Sequence, residues 1–528
     1  MDRAARIARF LGEARGWRRR GFAAALGVCA AAALPPMHIL PLAFVAFAGL
    51  LWLLQGVRDE VRPARAAFGV GWWFALGFHI AGLHWIANAL LIEWQRVGWM
   101  IPFAVFGLSG VLAIFVGLAT LAVWRAGAAG LAGVLFLAAA WTVAELGRGL
   151  LFTGFPWNLI ATVWVETEPV LQLASLVGAY GLTALSVALF ALPATLRARP
   201  ILAGAGALAL AAGFGAWRLA DNPTAYVPDV RLRLVQPVVP QALKWDPEAR
   251  EANLARTIAL SRVDGFETRT HVIWGETASA FPMWGDAPRF VERRRQVAEA
   301  APPGGVLIAG AIRLEFDATG AVQAWNSAHA IDGQGGMLAN YDKFHLVPFG
   351  EYVPFRGILP IDRVVPGSVD FSAGPGPATI RIPGLPPVAP SICYEIIFPG
   401  RVTDSTSRPG MILNLTNDSW FGYSIGPFQH FAAARLRAVE EGIPVIRVAG
   451  GGISGAIDPY GRVVAHLPLE QVGVLDTQLP VAAPATPFSR FGMGGMVALL
   501  AGVGIFGTVV WKNSKKGADN NRRALRLS

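Results

Sequence analysis

Eight apolar runs surround one long polar stretch, residues 225–485, and this arrangement restricts the folds that the chain can adopt. The runs lie at residues 22–34, 39–57, 66–91, 100–124, 129–148, 171–196, 201–219 and 491–511. Most are close to the roughly 20 residues that a helix needs to cross a bilayer. We therefore predict a polytopic α-helical membrane domain of about eight helices, divided by the polar stretch. The predicted domains are residues 1–224, 225–485 and 486–528, the last holding one membrane helix and a basic cytoplasmic tail.

Composition and charge support this interpretation. The chain is 54% hydrophobic and only 15% charged, which is too apolar for a soluble enzyme of 528 residues. The formal net charge of +10 comes from the two terminal tails, since residues 1–20 and 512–526 each contribute +5. Basic tails beside apolar helices are typical of anchoring to anionic lipid headgroups, and this distribution argues against a nucleic-acid partner.

Loop charges predict the orientation in the membrane, because Lys and Arg accumulate in cytoplasmic loops. With the N-terminus inside, the outer loops hold little basic charge beyond Arg96 and Arg148. The inner loops then hold Arg58, Arg62, Arg65, Arg125, Arg197 and Arg199. We expect cytoplasmic termini and an extracytoplasmic stretch 225–485, which is periplasmic in a bacterium. For the first run, the alternatives are a cleaved signal peptide and an uncleaved helix hairpin that turns at residues 35–38.

The polar stretch has the pattern of a layered α/β domain. Helix-like segments at 247–263 and 429–441 lie between short β-rich segments. The predicted strands are 230–236, 271–274, 306–310, 326–332, 388–392, 411–415 and 445–449. The stretch contains no Gly-rich phosphate loop and no Cys/His cluster. His79 and His84 share a helix but are five residues apart, a poor spacing for a metal site, so we predict no metal.

Three short segments of this domain contain candidate catalytic groups. An apolar strand leads to Glu276, Lys343 is set among aromatic residues and prolines, and another apolar strand leads to Cys393. A thiol at the end of a strand suits a nucleophile. The structural alternatives are a turn-capping carboxylate, a surface salt bridge and an inert buried cysteine. The only other cysteine, Cys29, lies in an apolar run, so no disulfide forms within the domain.

Longer motifs around these residues resemble a known family. Residues 343–355 read Lys-Phe-His-Leu-Val-Pro-Phe-Gly-Glu-Tyr-Val-Pro-Phe, residues 393–395 Cys-Tyr-Glu, and residues 414–422 Asn-Leu-Thr-Asn-Asp-Ser-Trp-Phe-Gly. With Glu276, they resemble the nitrilase (carbon-nitrogen hydrolase) superfamily and, within it, the apolipoprotein N-acyltransferase family of Gram-negative bacteria. The resemblance implies a nitrilase-like αββα sandwich with a Glu-Lys-Cys triad, eight membrane helices and no cofactor.

The resemblance also implies roles for these residues. Glu276 is expected to be the general base, Lys343 to stabilise the oxyanion, Cys393 to be the nucleophile and Glu351 to support them. The implied reaction moves a fatty acyl chain from a membrane phospholipid, through a thioester on Cys393, to an apolipoprotein. The acceptor is the α-amino group of an N-terminal diacylglyceryl-cysteine. We expect a monomer in the bacterial inner membrane.

Several aromatic residues and one acid are predicted to contact lipid. Core packing or interfacial anchoring explains the aromatic residues as an alternative, and a salt bridge explains the acid. The predicted contacts are Trp245, Tyr394, Glu395, Trp420, Phe421, Phe155 and Trp157. The Pro/Gly-rich stretches 281–288 and 355–376 are candidate lids. The glycines at 450–452 depart from the family pattern and leave open whether this loop is more mobile and alters substrate contacts.

Two rival functions remain open from the sequence. One is a membrane-anchored amidase or amide synthase with the same triad, which predicts activity on soluble amides without phospholipid. The other is a lipid-binding or transport protein with an inactive domain, which predicts that Cys393→Ala leaves function intact. The order of Glu276, Lys343 and Cys393 argues against an inactive domain.

Overall fold

The computed structural model describes residues 2–58, 60–316, 320, 322–354 and 370–527. The chain divides into two compact units. Unit 1 comprises Met1–His84, Ile101–Arg218 and Arg490–Ser528, and unit 2 comprises Trp85–Met100 and Leu219–Ser489. Most of the second candidate lid, 355–376, lies outside the described residues.

Unit 1 is helical. Across the described chain, six helices are long and apolar enough to cross a membrane: Pro63–Leu83, Trp94–Arg125, Gly130–Leu150, Ala174–Thr195, Ala198–Asp221 and Gly494–Asn513. The apolar helix Pro41–Gln55 is shorter, and Gly16–Ala31 has 16 residues. An N-terminal helix, Asp2–Glu13, precedes them. The polytopic helical class is therefore confirmed, whereas the count of eight spans stays a prediction.

The predicted apolar run 66–91 was too long as a single helix. The membrane helix ends at Leu83, and Ile86–Leu91 forms a separate short helix in unit 2. The reason is a tertiary contact within unit 2, where the Trp85 ring lies 4.5 Å from the Phe421 ring. Trp85 Nε1 also donates a hydrogen bond to Gln429 at 3.1 Å. Hydropathy measures how apolar a segment is, and it does not show which distant residues that segment contacts.

A buried carboxylate joins the helices of unit 1. Glu145, on helix Gly130–Leu150, accepts hydrogen bonds from Trp141 Nε1 at 3.0 Å, the Ile160 amide at 3.0 Å and Thr183 Oγ1 at 2.8 Å. These donors come from its own helix, the 3-10 helix Ile160–Trp164 and the helix Ala174–Ala191. A buried acid is costly unless its oxygens are satisfied, and here both accept hydrogen bonds.

Unit 2 contains eleven strands within the described residues. In chain order they are β1 Tyr226–Gln236, β2 His271–Trp274, β3 Val306–Phe316, β4 Val322–Asp332, β5 Met337–Asp342, β6 Val388–Ile392, β7 Met411–Asn417, β8 Val445–Gly450, β9 Ser454–Ile457, β10 Val463–Leu467 and β11 Gly473–Pro480. The main helices are Arg250–Ser261, Pro288–Ala298 and Gly426–Glu441, with a one-turn helix Gln241–Lys244. All seven predicted strands and both predicted helices are confirmed within a few residues, except that β3 and β4 are longer.

The strands form two sheets with their inner faces in contact. The orders are β11-β1-β2-β3-β4-β5 and β10-β9-β8-β7-β6. The parallel pairs are β1-β2 and β2-β3 in the first sheet, and β6-β7 and β7-β8 at one end of the second. Side chains alternate along β2, so Ile273 joins the core between the sheets, whereas Val272 and Trp274 pack beneath the helices. Helix Gly426–Glu441 packs against β8 of the second sheet. The αββα sandwich is confirmed.

Candidate active site

Glu276 is placed by a tight turn at the end of β2. Its side chain is 8% exposed. Gly310, on the neighbouring strand β3, allows this turn to approach, because a Cβ there would lie 2.4 Å from the Gly275 carbonyl oxygen. Thr277 follows with φ of +45°, an unusual conformation for a β-branched residue. Strained backbone of this kind persists where surrounding contacts hold it, often at functional sites.

Lys343 follows β5, and its backbone N–H donates to the Asn326 carbonyl at 2.9 Å. Its side chain is 1% exposed. The ammonium lies 3.0 Å from the Glu351 carboxylate and 3.4 Å from Glu276 Oε1. Burial lowers the pKa of Lys343, but the carboxylates of Glu351 and Glu276 outweigh burial, so the pKa rises above its usual value. Lys343 is therefore a permanent cation between two carboxylates.

Asn326 joins the same cluster and was not predicted from the sequence. Its side-chain amide donates to Glu276 Oε1 at 2.6 Å and to Glu351 Oε1 at 2.9 Å. Glu351 is fixed further by the Val347 amide, which donates to its Oε2 at 2.8 Å. The available signal was an asparagine at the start of a predicted buried strand, where an amide needs polar partners.

Cys393 begins the 3-10 helix Cys393–Ile397 directly after β6. Its φ of +52° lies in the left-handed region, and its carbonyl accepts a hydrogen bond from His430 Nε2 at 3.1 Å. Burial and the Glu276 carboxylate raise the pKa of the Cys393 thiol, and Lys343 only partly opposes them. The resting sulfur is therefore a thiol, and a base must remove its proton before it can attack a carbonyl.

A second buried lysine, Lys244, also borders this cluster and was not predicted. Its ammonium donates to the Glu276 carbonyl oxygen at 3.1 Å. Burial lowers the pKa of Lys244 to about 8, although Glu276 and Cys393 act in the opposite direction. The sequence Leu-Lys-Trp gave no sign that this lysine is buried, because an isolated lysine is usually exposed.

Glu395 lies inside the fold with its oxygens already occupied. Its carboxylate accepts hydrogen bonds from the amides of Ile392 at 2.6 Å, Phe344 at 2.7 Å and His345 at 3.1 Å, and from the Tyr341 hydroxyl at 3.0 Å. Burial raises the pKa of Glu395 to about 7, against the effect of these donors. Glu395 thus connects the loop that carries Cys393 to the loop that carries Lys343.

The aromatic candidates of unit 2 occupy different surroundings. Trp245 is half-buried and follows Lys244 directly. The Tyr394 ring is buried, 5.5 Å from His345 and 5.1 Å from Phe398. Trp420 and Phe421 are half-buried on the 3-10 helix Asp418–Phe421. Phe421 lies between the rings of Trp85 and His430, at 4.5 and 5.8 Å.

Phe155 and Trp157 belong to unit 1, whereas Cys393 belongs to unit 2. Their rings are stacked with centroids 6.1 Å apart. Arg148 donates to the carbonyl oxygens of both residues, at 3.0 and 2.5 Å. Trp157 is 4% exposed, so its side chain is buried.

A network of buried charges beneath Cys393 was also missed. Asp418 accepts hydrogen bonds from Arg447 Nη2 at 2.6 Å and contacts His430 Nδ1 at 2.9 Å. Gly452, in the glycine loop, permits this packing, because a Cβ there would lie 2.4 Å from Asp418 Oδ2. The glycines at 450–452, which depart from the family pattern, therefore include a position in close contact with Asp418. The signal in the sequence was the Asn-Asp pair of the motif at 414–422.

Together, the described side chains combine a thiol, two carboxylates and a fixed cation in one buried cluster. Among the described residues, no group of three or more His, Cys, Asp or Glu could hold a metal ion. A thiol can form a covalent acyl intermediate when a base accepts its proton and a cation stabilises the oxyanion. This arrangement is suited to acyl transfer at a carbonyl carbon.

Comparison with known proteins gives the family. Residues 26–192 match the model of the apolipoprotein N-acyltransferase N-terminal domain, and residues 278–484 match that of carbon-nitrogen hydrolases. An amidase from Nesterenkonia sp. is similar over 49% of this chain and 94% of its own, at 19% identity and a TM-score of 0.35. The apolipoprotein N-acyltransferase of Rhodopseudomonas palustris is 39% identical over 90% of this chain and 92% of its own. That of Allorhizobium ampelinum is 42% identical over 89% and 92%. The chain belongs to the apolipoprotein N-acyltransferase family.

Proposed function

We propose that this protein transfers a fatty acyl chain from a membrane phospholipid to the α-amino group of an N-terminal diacylglyceryl-cysteine on apolipoproteins. The observation that carries the proposal is the buried contact of Lys343 with Glu276 and Glu351 beside the Cys393 thiol. Membership of the family and the six apolar helices support a lipid substrate. The reaction proceeds in two half-reactions without a cofactor.

In the first half-reaction, Glu276 takes the proton from the Cys393 thiol, and the thiolate attacks the ester carbonyl carbon of the phospholipid. Lys343 stabilises the oxyanion of the tetrahedral intermediate. The carbon–oxygen bond to glycerol then breaks, and the leaving oxygen receives the proton held by Glu276. A lysophospholipid departs, and the acyl chain remains on Cys393 as a thioester.

In the second half-reaction, the acceptor amine, after losing one proton to solvent, attacks the thioester carbon. Glu276 accepts a further proton from the nitrogen, and Lys343 again faces the oxyanion. The carbon–sulfur bond breaks, and the Cys393 sulfur regains its proton from Glu276. The products are an amide on the lipoprotein and the free enzyme, so protons and charges balance.

Both substrates carry hydrocarbon chains, and exposing each methylene to water costs about 0.8 kcal/mol. A site that receives the chains from the bilayer avoids this cost and protects the thioester from water. In this proposal Trp245, Tyr394, Trp420 and Phe421 are the lipid contacts of unit 2, and Phe155 and Trp157 those of unit 1. Glu395 acts indirectly, by fixing the two catalytic loops.

The loop charges support a multi-pass inner-membrane protein with residues 225–485 in the periplasm and both termini in the cytoplasm. A reporter that is active only in the periplasm tests this orientation. Fused after residue 485 it is expected to be active, and fused after residue 62 or 528 it is expected to be inactive. Activity of the fusion at residue 62 would reject the proposed orientation.

Intact-protein mass spectrometry tests the proposed reaction. Purified protein is incubated with phospholipid, and the wild type is compared with Cys393→Ala and with Cys29→Ala as the matched control. We expect a mass gain of one acyl group in the wild type and in Cys29→Ala, removed by hydroxylamine and absent from Cys393→Ala. Adding a diacylglyceryl-cysteinyl peptide is expected to remove the adduct and to acylate the peptide. If the wild type forms no adduct, the proposed reaction is wrong.

A further inference from the structure

Thr416 lies on β7 beside the nucleophile, and the mechanism above gives it no role. Strands β6 and β7 are parallel with Ile392 opposite Leu415, so the next positions bring Cys393 beside Thr416. The Thr416 carbonyl accepts the Glu276 amide at 3.4 Å. The Thr416 side chain lowers the pKa of the Cys393 thiol, against the larger effect of burial. Thr416 therefore follows the strand position opposite Ile392, next to the nucleophile, and accepts a hydrogen bond from the backbone of the base.

In the structure the Thr416 hydroxyl faces another acceptor, since Thr416 Oγ1 donates to Asp418 Oδ1 at 3.1 Å. Asp418 does not depend on this bond, because Arg447 donates to its other oxygen at 2.6 Å and His430 contacts Oδ1 at 2.9 Å. Although burial opposes it, Arg447 and His430 lower the pKa of Asp418 to about 2. The carboxylate thus stays ionised and hydrogen-bonded when the threonine hydroxyl rotates away.

We propose that Thr416 is a further catalytic residue, whose hydroxyl turns from the Asp418 carboxylate to the Cys393 sulfur when Glu276 removes the thiol proton. The rotation of the hydroxyl changes no covalent bond; the S–H bond of Cys393 breaks and its proton forms an O–H bond on Glu276. The hydroxyl then donates to the thiolate before the attack on the ester and again when the thiolate leaves the second tetrahedral intermediate. Its effect on acyl transfer rests on the proposed function.

The charges near the Cys393 sulfur stabilise its thiolate only in part, so a hydrogen-bond donor can add to that stabilisation. Glu276 and Asp418 disfavour the thiolate, while Lys343 favours it. Lys244 adds a second positive group on the short helix Gln241–Lys244. Lys343 is engaged by Glu276 and Glu351, so its charge is shared. A hydrogen bond from a hydroxyl adds stabilisation to the thiolate without adding a further buried charge.

Two substitutions separate the hydroxyl from the shape of the side chain. Thr416→Val keeps the branched shape and removes the donor, whereas Thr416→Ser keeps the donor and removes a methyl group. Losing one hydrogen bond to a charged group is expected to slow thioester formation about 10- to 100-fold in Thr416→Val. The same loss is expected to raise the pKa of the Cys393 thiol, so alkylation of Cys393 at a given pH is expected to slow by a similar factor. Thr416→Ser is expected to behave like the wild type.

The experiment uses the full chain with Cys29→Ala, so that Cys393 is the only thiol. In this parent protein, and in the same protein carrying Thr416→Val or Thr416→Ser, the rate of alkylation by iodoacetamide is measured as a function of pH. Thermal unfolding of each sample tests whether the variant is folded. Thioester formation from phospholipid is measured by mass spectrometry on the same samples.

A shifted alkylation profile and slow acylation in Thr416→Val, both restored in Thr416→Ser, would support the proposal. Wild-type profiles in folded Thr416→Val would overturn it, and so would equal defects in the two variants, because the methyl group would then matter. If Thr416→Val does not fold, a shifted profile in Thr416→Ser would overturn it. If the parent protein forms no thioester, the proposed reaction fails, while the alkylation profiles still decide the role of Thr416.

Discussion

Lys343 donates a hydrogen bond to the Glu351 carboxylate at 3.0 Å in a position where only 1% of the lysine side chain is exposed. Glu276 lies on the other side of the ammonium, at 3.4 Å. A buried cation is costly unless it is paired, and here two carboxylates face it. The cation to which we assign stabilisation of the oxyanion is therefore held in place without a substrate.

Removing this cation is expected to affect both stability and catalysis. Lys343→Met leaves Glu276 and Glu351 close together without a counter-ion and is expected to lower the free energy of unfolding by about 3–5 kcal/mol. The acylation rate is expected to fall about 10²- to 10³-fold. Adding Glu351→Gln should restore part of the stability and none of the rate, as measured by thermal unfolding in micelles and by mass spectrometry. Recovery of the rate in the double variant would contradict the role of Lys343.

Glu276→Gln is expected to slow thioester formation about 10²- to 10⁴-fold, because the amide cannot accept the thiol proton. The raised pKa of Cys393 makes the base necessary at neutral pH. Single-turnover mass spectrometry measures the rate, and Glu251→Gln, an exposed acid paired with Arg293, serves as the control. A wild-type rate in Glu276→Gln would show that another group removes the proton.

Asn326→Asp places a third carboxyl group where an amide now donates to Glu276 and Glu351. A third carboxyl group adds like charge to this buried cluster, and like charges close together disfavour ionisation. The acid limb of the pH–rate profile is expected to move upward by about one unit or more. Gln323→Glu adds the same charge at an exposed position of the same strand and should leave the profile in place. Equal profiles for the wild type and Asn326→Asp would contradict this prediction.

Lys244 predicts a dependence of stability on pH. Burial lowers its pKa to about 8 in the folded state, below the value of an exposed lysine. The folded state therefore binds fewer protons between pH 8 and about 10.5, and stability should rise with pH across this window. Lys244→Met is expected to stabilise the protein at pH 7 by up to about 3 kcal/mol, and this advantage should disappear near pH 10.5. Thermal unfolding at several pH values measures the stability of Lys244→Met relative to the wild type, with the exposed Lys512→Met as the control. If the stability difference between Lys244→Met and the wild type stays constant from pH 7 to 10.5, the charge of Lys244 is not its cause.

In unit 1, Glu145→Ala removes the acceptor for Trp141, the Ile160 amide and Thr183. Each buried donor left without a partner costs about 1–3 kcal/mol, so a large fall in the melting temperature is expected. Glu145→Gln keeps an oxygen for Trp141 and Ile160 and should cost much less. Equal melting temperatures for the two variants, measured in the same detergent, would contradict a hydrogen-bonding role for this carboxylate.

The sequence by itself determined the elements of this protein. Strand 271–274 was predicted with the same bounds that the structure shows. A short apolar segment between polar residues is a pattern of neighbours along the chain, and such a pattern can be recognised from the sequence alone. The apolar runs likewise indicated membrane helices by length and composition. The motifs singled out Glu276, Lys343 and Cys393, since their residue types and order match a known chemistry.

Only the tertiary structure decided which groups surround these residues. Asn326 meets Glu276 across 50 positions of the chain, and Arg447 meets Asp418 across 29. The end of the helix at Leu83 likewise depends on the contact of Trp85 with Phe421. Periodicity and hydropathy describe neighbours along the chain, whereas these contacts depend on strand register and packing between distant segments, which no local pattern encodes.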